Sequence, residues 1–246
     1  MTVMPNKIQL LISPKTIEEA KIVISSQADM IDCKNPEEGS LGANFPWIIK
    51  EMKEMLPKNG SQILSATIGD FPNLPGSASL AALGAAVSGA DIIKVGLKGP
   101  NNIEEGTKLM KNVVKAVKNY NKDILVVTAG YADYTRMKTS LDFLAIPTIA
   151  AESGADIAML DTYIKDGKGL FDFLNVKQLI EFRNKAKDLN LEIALAGNLR
   201  NNTLSKIKKI NPEIIGVRSM VCEGYDRNEG TIRLDLIENL KSQLSH

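Results

Sequence analysis

Short apolar runs alternate with longer amphipathic stretches along the 246 residues of this chain, and that alternation constrains its fold more than any other feature. The runs fall at 8–12, 30–34, 63–68, 91–97, 124–129, 156–161, 192–196 and 213–218. Near-continuous hydrophobicity over so few residues predicts parallel strands covered on the outside by helices. The clearest intervening helix is 103–120, with Leu109, Met110, Val113, Val114 and Val117 on one face and Lys108, Lys111, Lys115 and Lys118 outside it. Segments 16–26, 175–189 and 230–244 follow the same pattern, and 77–88 is an Ala-rich helix suited to close packing. Eight such units at about 31 residues each predict a (β/α)8 TIM barrel rather than an open doubly wound sheet. No linker or low-complexity segment interrupts them, so residues 1–246 read as a single barrel domain. There is no GxGxxG after the first run and no GxxxxGK[ST], which removes the main support for a dinucleotide or P-loop site.

Composition narrows the chemistry. The 30 Lys+Arg and 29 Asp+Glu leave a net charge of +1, so no bulk charge points to nucleic acid or an anionic membrane. No apolar run approaches the roughly 20 residues that span a bilayer, and there is no signal-peptide pattern. Cys33 and Cys222 form neither a CxxC pair nor a disulfide framework, which suits a reducing cytoplasm. The single histidine is His246, the last residue. A Ser–His or Cys–His nucleophile and a His-ligated metal are therefore not expected, and neither a metal nor a cofactor is called for. Acid–base chemistry falls to Lys, Asp, Glu, Tyr, Cys or the substrate.

Ser88-Gly89-Ala90-Asp91-Ile92 recurs as Ser153-Gly154-Ala155-Asp156-Ile157, and Gln27-Ala28-Asp29-Met30-Ile31 is a looser copy. The motif reads as a helix end leading into a strand. Side chains alternate along a strand, so positions an odd number beyond each leading acidic residue share one face. Counting from Asp29, Asp91, Asp156 and Glu213 places Asp32, Lys34, Lys94, Asp161 and Arg218 on that face. The alternate positions Ile31, Cys33, Ile93, Val95, Ala158, Leu160, Ile215 and Val217 would meet the helices. A rim ion pair would explain any one of these charges alone. Five converging on the C-terminal mouth, where barrel enzymes keep their active sites, point instead to chemistry. Two neighbouring lysines would lower each other's pKa and give a neutral amine able to attack a carbonyl, with carboxylates moving protons. The loops after the seventh and eighth runs carry Gly197, Asn198, Gly216, Arg218 and Ser219, a place where this fold often binds phosphate. Arg218 could hold a phosphate through paired hydrogen bonds, or simply pair with Glu223.

Five segments carry a family likeness: DCKNPEEGSLGANFPW at 32–47, IIKVGL at 92–97, AGYAD at 129–133, MLDTYIKDGK at 159–168 and GVR at 216–218. Through them nearly the whole chain resembles the (5-formylfuran-3-yl)methyl phosphate synthases. The resemblance implies a barrel enzyme that condenses two molecules of glyceraldehyde 3-phosphate into a furan aldehyde phosphate, an early step of methanofuran biosynthesis. It matches Lys34 to the Schiff-base lysine, Lys94 to the proton acceptor, and Asp161 and Lys165 to further site residues. Lys165 is assigned by the resemblance alone. Cys33 stands where the family pattern has an aliphatic residue and Asn198 where it has a serine. The implied partner is a small phosphorylated triose, and a barrel of this kind is expected to form a homo-oligomer. Two other readings stay open: a class I aldolase or transaldolase-like enzyme on sugar phosphates, and a non-catalytic barrel binding phosphorylated metabolites. The 39–47 segment, with Trp47 as the only tryptophan, reads as a lid, an interface or an anchor for the second helix.

Overall fold

The computed structural model describes residues 7–26 and 28–244; His246, and Gln27 of the looser repeat, lie outside the described residues. Strands Gln9–Ile12 (β1), Met30–Cys33 (β2), Ile63–Phe71 (β3), Ile92–Leu97 (β4), Leu125–Tyr131 (β5), Ile157–Asp161 (β6), Glu192–Leu195 (β7) and Ile214–Val217 (β8) form a closed parallel barrel in sequence order. β1 closes the ring on β8, with Leu11 opposite Gly216. The helices are Ile17–Ser25 (α1), Pro46–Met55 (α2), Pro75–Val87 (α3), Ile103–Tyr120 (α4), Ala145–Ser153 (α5), Leu170–Phe173 (α6), Val176–Asp188 (α7), Leu204–Ile210 (α8) and Leu234–Leu244 (α9). The fold is the (β/α)8 barrel that the alternation predicts.

Local chemistry fixes the helix starts. Thr16 caps α1 through the amide of Glu19, Asn102 caps α4 through that of Glu105, and proline occupies the first turn of α2 and α3. The apolar face of α4 is buried, while Lys108, Lys111 and Lys115 are exposed as solvated positions. Four helices lay outside the periodic pattern. α5 is apolar on most faces, α6 and α8 span four and seven residues, and α2 starts at the end of the 32–47 motif and runs on to Met55.

Strand parity sorts the core into two layers. Leu11, Met30, Ile92, Val127, Ile157, Met159, Ala194 and Ile214 pack together inside the barrel. Ile31, Cys33, Ile93, Val95, Ala158, Leu160, Ile215 and Val217 belong to the layer between strands and helices. The repeated acidic residues occupy the opposite end from the mouth. Asp29 accepts the amide of Leu10 at 2.7 Å, Asp91 that of Leu64 at 2.8 Å, Asp156 that of Val126 at 2.8 Å and Glu213 that of Ile193 at 2.9 Å. Each therefore supplies the amide of the second residue of the preceding strand with an acceptor. Lys241, Lys53 and Lys118 pair with the three aspartates. Gly89 and Gly154 are both left-handed, as a helix end turning sharply into a strand requires. The repeat is a stability device at the floor of the barrel.

Candidate active site

The parity that buries Met30, Ile92 and Ile157 also sets the charged residues above them. Asp32 lies on β2, Lys94 in mid-β4 and Asp161 at the end of β6, all inward-facing, and Lys34 follows β2 directly. They line one cleft of about 470 Å³ at the strands' C-terminal ends. Lys94 Nζ donates to Asp32 Oδ1 at 2.5 Å, and both side chains are almost fully enclosed, at 3% and 2% exposure. The other Asp32 oxygen accepts from Ser13 Oγ at 2.8 Å. Across the mouth, Lys165 bends back from its loop and donates to Asp161 Oδ1 at 2.8 Å and to the Thr162 carbonyl at 2.5 Å. The Thr162 amide also donates to Asp161 Oδ1, at 2.7 Å.

Lys34 stands apart. Among the described residues its amine has no hydrogen-bond partner, whereas Lys94 and Lys165 each have a carboxylate. Its pKa falls to about 8, chiefly through burial; Lys165 and Lys94 depress it further, while Asp161 and Asp32 hold it up. The sequence suggests mutual repulsion of lysines as the source of this shift. Desolvation is the larger cause, because Asp32 and Asp161 already balance the neighbouring ammonium groups. Asp161 moves the other way: burial would raise its carboxyl, but Lys165 and Lys34 outweigh that and hold it at about 2. The site thus combines a neutralisable amine with a carboxylate that rests ionised at neutral pH. Cys33 points away among apolar side chains, and its thiol is pushed up to about 12 by burial. Among the described residues no group of three or more His, Cys, Asp or Glu is placed to hold a metal ion.

On the opposite wall the cleft is lined by Gly197, Asn198, Gly216 and Ser219. Ser219 Oγ donates to Asn198 Oδ1 at 3.3 Å, and Asn198 Nδ2 donates to the Gly167 carbonyl at 2.7 Å, so the two loops brace each other. Arg218 does not pair with Glu223. Its guanidinium makes a bidentate contact with Glu19, at 2.7 and 3.0 Å, and donates to the carbonyls of Ser13 and Arg227. Glu19 wins because it is buried in α1 directly beneath the β8 loop, whereas Glu223 is exposed.

The sequence profile of the 4-HFC-P synthase family matches residues 10–241. The chain is 53% identical to the (5-formylfuran-3-yl)methyl phosphate synthase of Methanococcus aeolicus, over 94% of this chain and 97% of that one. It is 51% identical to the enzyme of the same name from Methanocaldococcus jannaschii, with the same coverage. The chain belongs to the 4-HFC-P synthase family. It is accordingly an enzyme, and no described helix is long and apolar enough to cross a membrane. Among solved structures it resembles KGPDC from Streptococcus mutans in complex with D-R5P, with a TM-score of 0.67 at 13% identity over 96% of this chain and 97% of that one. It also resembles orotidine 5'-monophosphate decarboxylase from Methanocaldococcus jannaschii, with a TM-score of 0.61 at 16% identity over 97% of this chain and 100% of that one. At such identities these likenesses speak for the barrel alone.

In this member of the 4-HFC-P synthase family the long motif after β2 is a fixed cap. Leu41 is fully buried in the inner layer, beside Ala129 and Tyr131. Ser40 Oγ donates across the mouth to the Thr162 carbonyl at 2.7 Å, and Thr67 Oγ1 donates to the Gly42 carbonyl at 2.6 Å. Asp70 accepts the Leu41 amide and the Tyr131 hydroxyl. A β-bulge in β3 between Thr67 and Asp70 aims that carboxylate inward. The cap closes the β3–β5 sector and leaves the cleft open toward β6, β7, β8 and β1. Trp47 is 64% exposed and stacks on Phe45 with ring centroids 4.7 Å apart, so it neither covers the cleft nor anchors α2.

The structure adds Ser13, Ser40, Leu41, Asp70, Tyr131 and Arg227 to the residues singled out from the sequence. Ser13 was within reach of the parity count, being two positions beyond inward-facing Leu11, but β1 begins with no acidic marker. Arg227 sits in a loop with no periodicity to place it.

Proposed function

We propose that the protein condenses two glyceraldehyde 3-phosphate molecules into 4-(hydroxymethyl)-2-furancarboxaldehyde phosphate, through a Schiff base on Lys34, as a step toward methanofuran. The observation that carries this reading is the contrast among the lysines. Lys34 has an amine unpaired among the described residues, where Lys94 and Lys165 each meet a carboxylate, and its pKa is brought down to about 8. Membership of the family supports the product.

In this mechanism Lys34 attacks the carbonyl carbon of the first triose, and water leaves to give the iminium. Lys94 gives its proton to the departing water and, as the free amine, takes the adjacent proton, with Asp32, 2.5 Å away, stabilising the ammonium that re-forms. The enamine carbon then bonds to the carbonyl carbon of the second triose. Inorganic phosphate and water depart as the ring closes and becomes aromatic, and the carbon–nitrogen bond to Lys34 breaks to free its amine, with Asp161 and Lys165 relaying protons and Asp32 holding Lys94. Gly197, Asn198, Gly216 and Ser219 receive a phosphate, with Arg218 fixing the shape of the loop after β8 through Glu19. Holding two phosphorylated substrates in register supplies much of the acceleration. The same reading has one barrel domain, no metal or cofactor, a cytoplasmic location and self-association into a homo-oligomer, the last open to sedimentation analysis.

Borohydride added with glyceraldehyde 3-phosphate should fix the triose on Lys34, located by peptide mass. The product formed from that substrate alone should show furan-aldehyde absorbance in the near ultraviolet. Lys34→Ala should lose turnover, and Lys34→Arg should not restore it, because a guanidinium stays protonated. An adduct mapped to another lysine would overturn the assignment. A non-absorbing sugar phosphate as product would favour an aldolase instead.

A further inference from the structure

Two phosphorylated trioses need two anion sites, and the Gly197, Asn198 and Ser219 loops form one. A second cleft of about 780 Å³ opens beside the first and shares Lys165, Asn198, Ser219 and Arg227 with it. Lys168 and Arg200 line its outer part. Arg227 lies half-buried where the clefts meet, and among the described residues its guanidinium bonds to no protein atom. The ammonium of Lys168 is likewise without a hydrogen-bonded partner there. Arg200 donates to the Gly167 carbonyl, which turns its head toward the cleft without neutralising it. Asp226 is the only carboxylate in the lining, and its Oδ1 is occupied by the amides of Asn228 and Glu229.

A partly desolvated arginine with no counter-ion is costly unless an anion joins it. The expected phosphate-binding arginine, Arg218, is already saturated by Glu19, so Arg227 is the guanidinium still available beside Lys34. The other basic cleft, bearing Lys98, Arg136 and Lys138, lies behind the Ser40–Leu41 cap, and its Arg136 is tied to Asp166 at 2.6 Å. We propose that Arg227, with Lys168 and Arg200, binds the phosphate of the second, acceptor triose in the cleft adjoining Lys34. Its carbonyl end would then reach over Lys165 toward the Lys34 adduct. This rests on the two-triose reading above.

The test uses sn-glycerol 3-phosphate, which has the phosphate but no carbonyl, in calorimetric titration of the full-length enzyme. Wild type should bind two equivalents per chain, and Arg227→Ala/Lys168→Ala should bind one. In turnover, Arg227→Ala should raise the half-saturating triose concentration about ten-fold or more. Borohydride labelling of Lys34, which needs only the first triose, should keep its concentration dependence. Arg227→Lys should recover part of the loss, having the charge without the fork. One equivalent in wild type, two in the double variant, or labelling that falls in step with turnover would overturn the proposal. Absence of any label on wild-type Lys34 would instead count against the Schiff-base reading, while the glycerol 3-phosphate stoichiometry would still decide the second site.

Discussion

Lys34 and Asp161 are set against each other, and their opposed shifts give a residue-level test. With the Lys34 pKa near 8, the neutral amine is a minority at pH 7 and the majority above pH 8. The rate of borohydride-trappable adduct formation should therefore rise with pH through about 8 and then level off. Asp161 holds that pKa up by favouring the ammonium. Asp161→Asn should move the rise to lower pH, so the variant forms more adduct than wild type at pH 6–7 but turns over more slowly, having lost the proton relay. A rise that stays in place, or moves upward, would show that Asp161 does not act on Lys34. Stability follows its own sign. A lysine pKa below its unfolded value of about 10.4 penalises the fold at neutral pH, and that penalty fades as pH rises through the interval between them. The carboxylate contributes stability above its unfolded value of about 3.9, lost as pH falls toward 2.

At the scale of the element, the two ends of the barrel do separate work and should respond separately. Asp91 ties the floor by accepting the Leu64 amide and pairing with Lys53 at 2.7 Å. Asp91→Ala leaves a strand amide without its acceptor, at a cost of about 1–2 kcal/mol, or a Tm lower by roughly 2–8 °C, with kcat unchanged. The cap at the other end depends on Gly96 of β4, where a Cβ would collide with the Tyr131 hydroxyl and lie 2.9 Å from Asp70 Oδ1. Gly96→Ala should displace the Asp70–Tyr131 pair and lift Leu41, costing about 1–3 kcal/mol in urea unfolding and reducing turnover as well. If activity survives that change intact, the cap plays no part in shaping the cleft. Much of this division was readable in advance. Alternation placed Asp32, Lys94 and Asp161 because a strand has only two faces. The cap was not legible, because Leu41 owes its burial to hydrogen bonds that tie the 40–42 segment to Asp70, Thr67 and Thr162 and that no period announces. α8 and α6 escaped for a related reason: a helix of four or seven residues completes too few turns to show a stripe.

The whole molecule has one further constraint, since a closed barrel must join its first unit to its last. β1 and β8 do this through their ladder, and Glu19 reinforces the seam. Its carboxylate receives the Arg218 guanidinium through two bonds, the Lys15 amide at 2.6 Å and the Ile232 amide at 3.3 Å, drawing α1, the β8 loop and the approach to α9 together. Helix periodicity gives Glu19 no special standing, because the partner that explains it lies 199 residues away. Both side chains are under 9% exposed, so the pair stands or falls together. Glu19→Ala leaves a buried guanidinium uncompensated and should lower stability by about 3–5 kcal/mol. Adding Arg218→Met should restore a large part of that loss, since a buried ion pair is worth little more than an apolar replacement of similar size. Burial would raise the Glu19 carboxyl, but Arg218 holds it below the usual carboxylate range. The contribution of the seam is then complete above the unfolded pKa of about 4.3 and is lost as pH falls further. Urea midpoints of wild type, the two single variants and the double variant, taken at pH 7 and pH 4, measure all of this. A double variant destabilised by the full sum of the two single losses would mean that the two residues act independently and that the ladder alone closes the barrel.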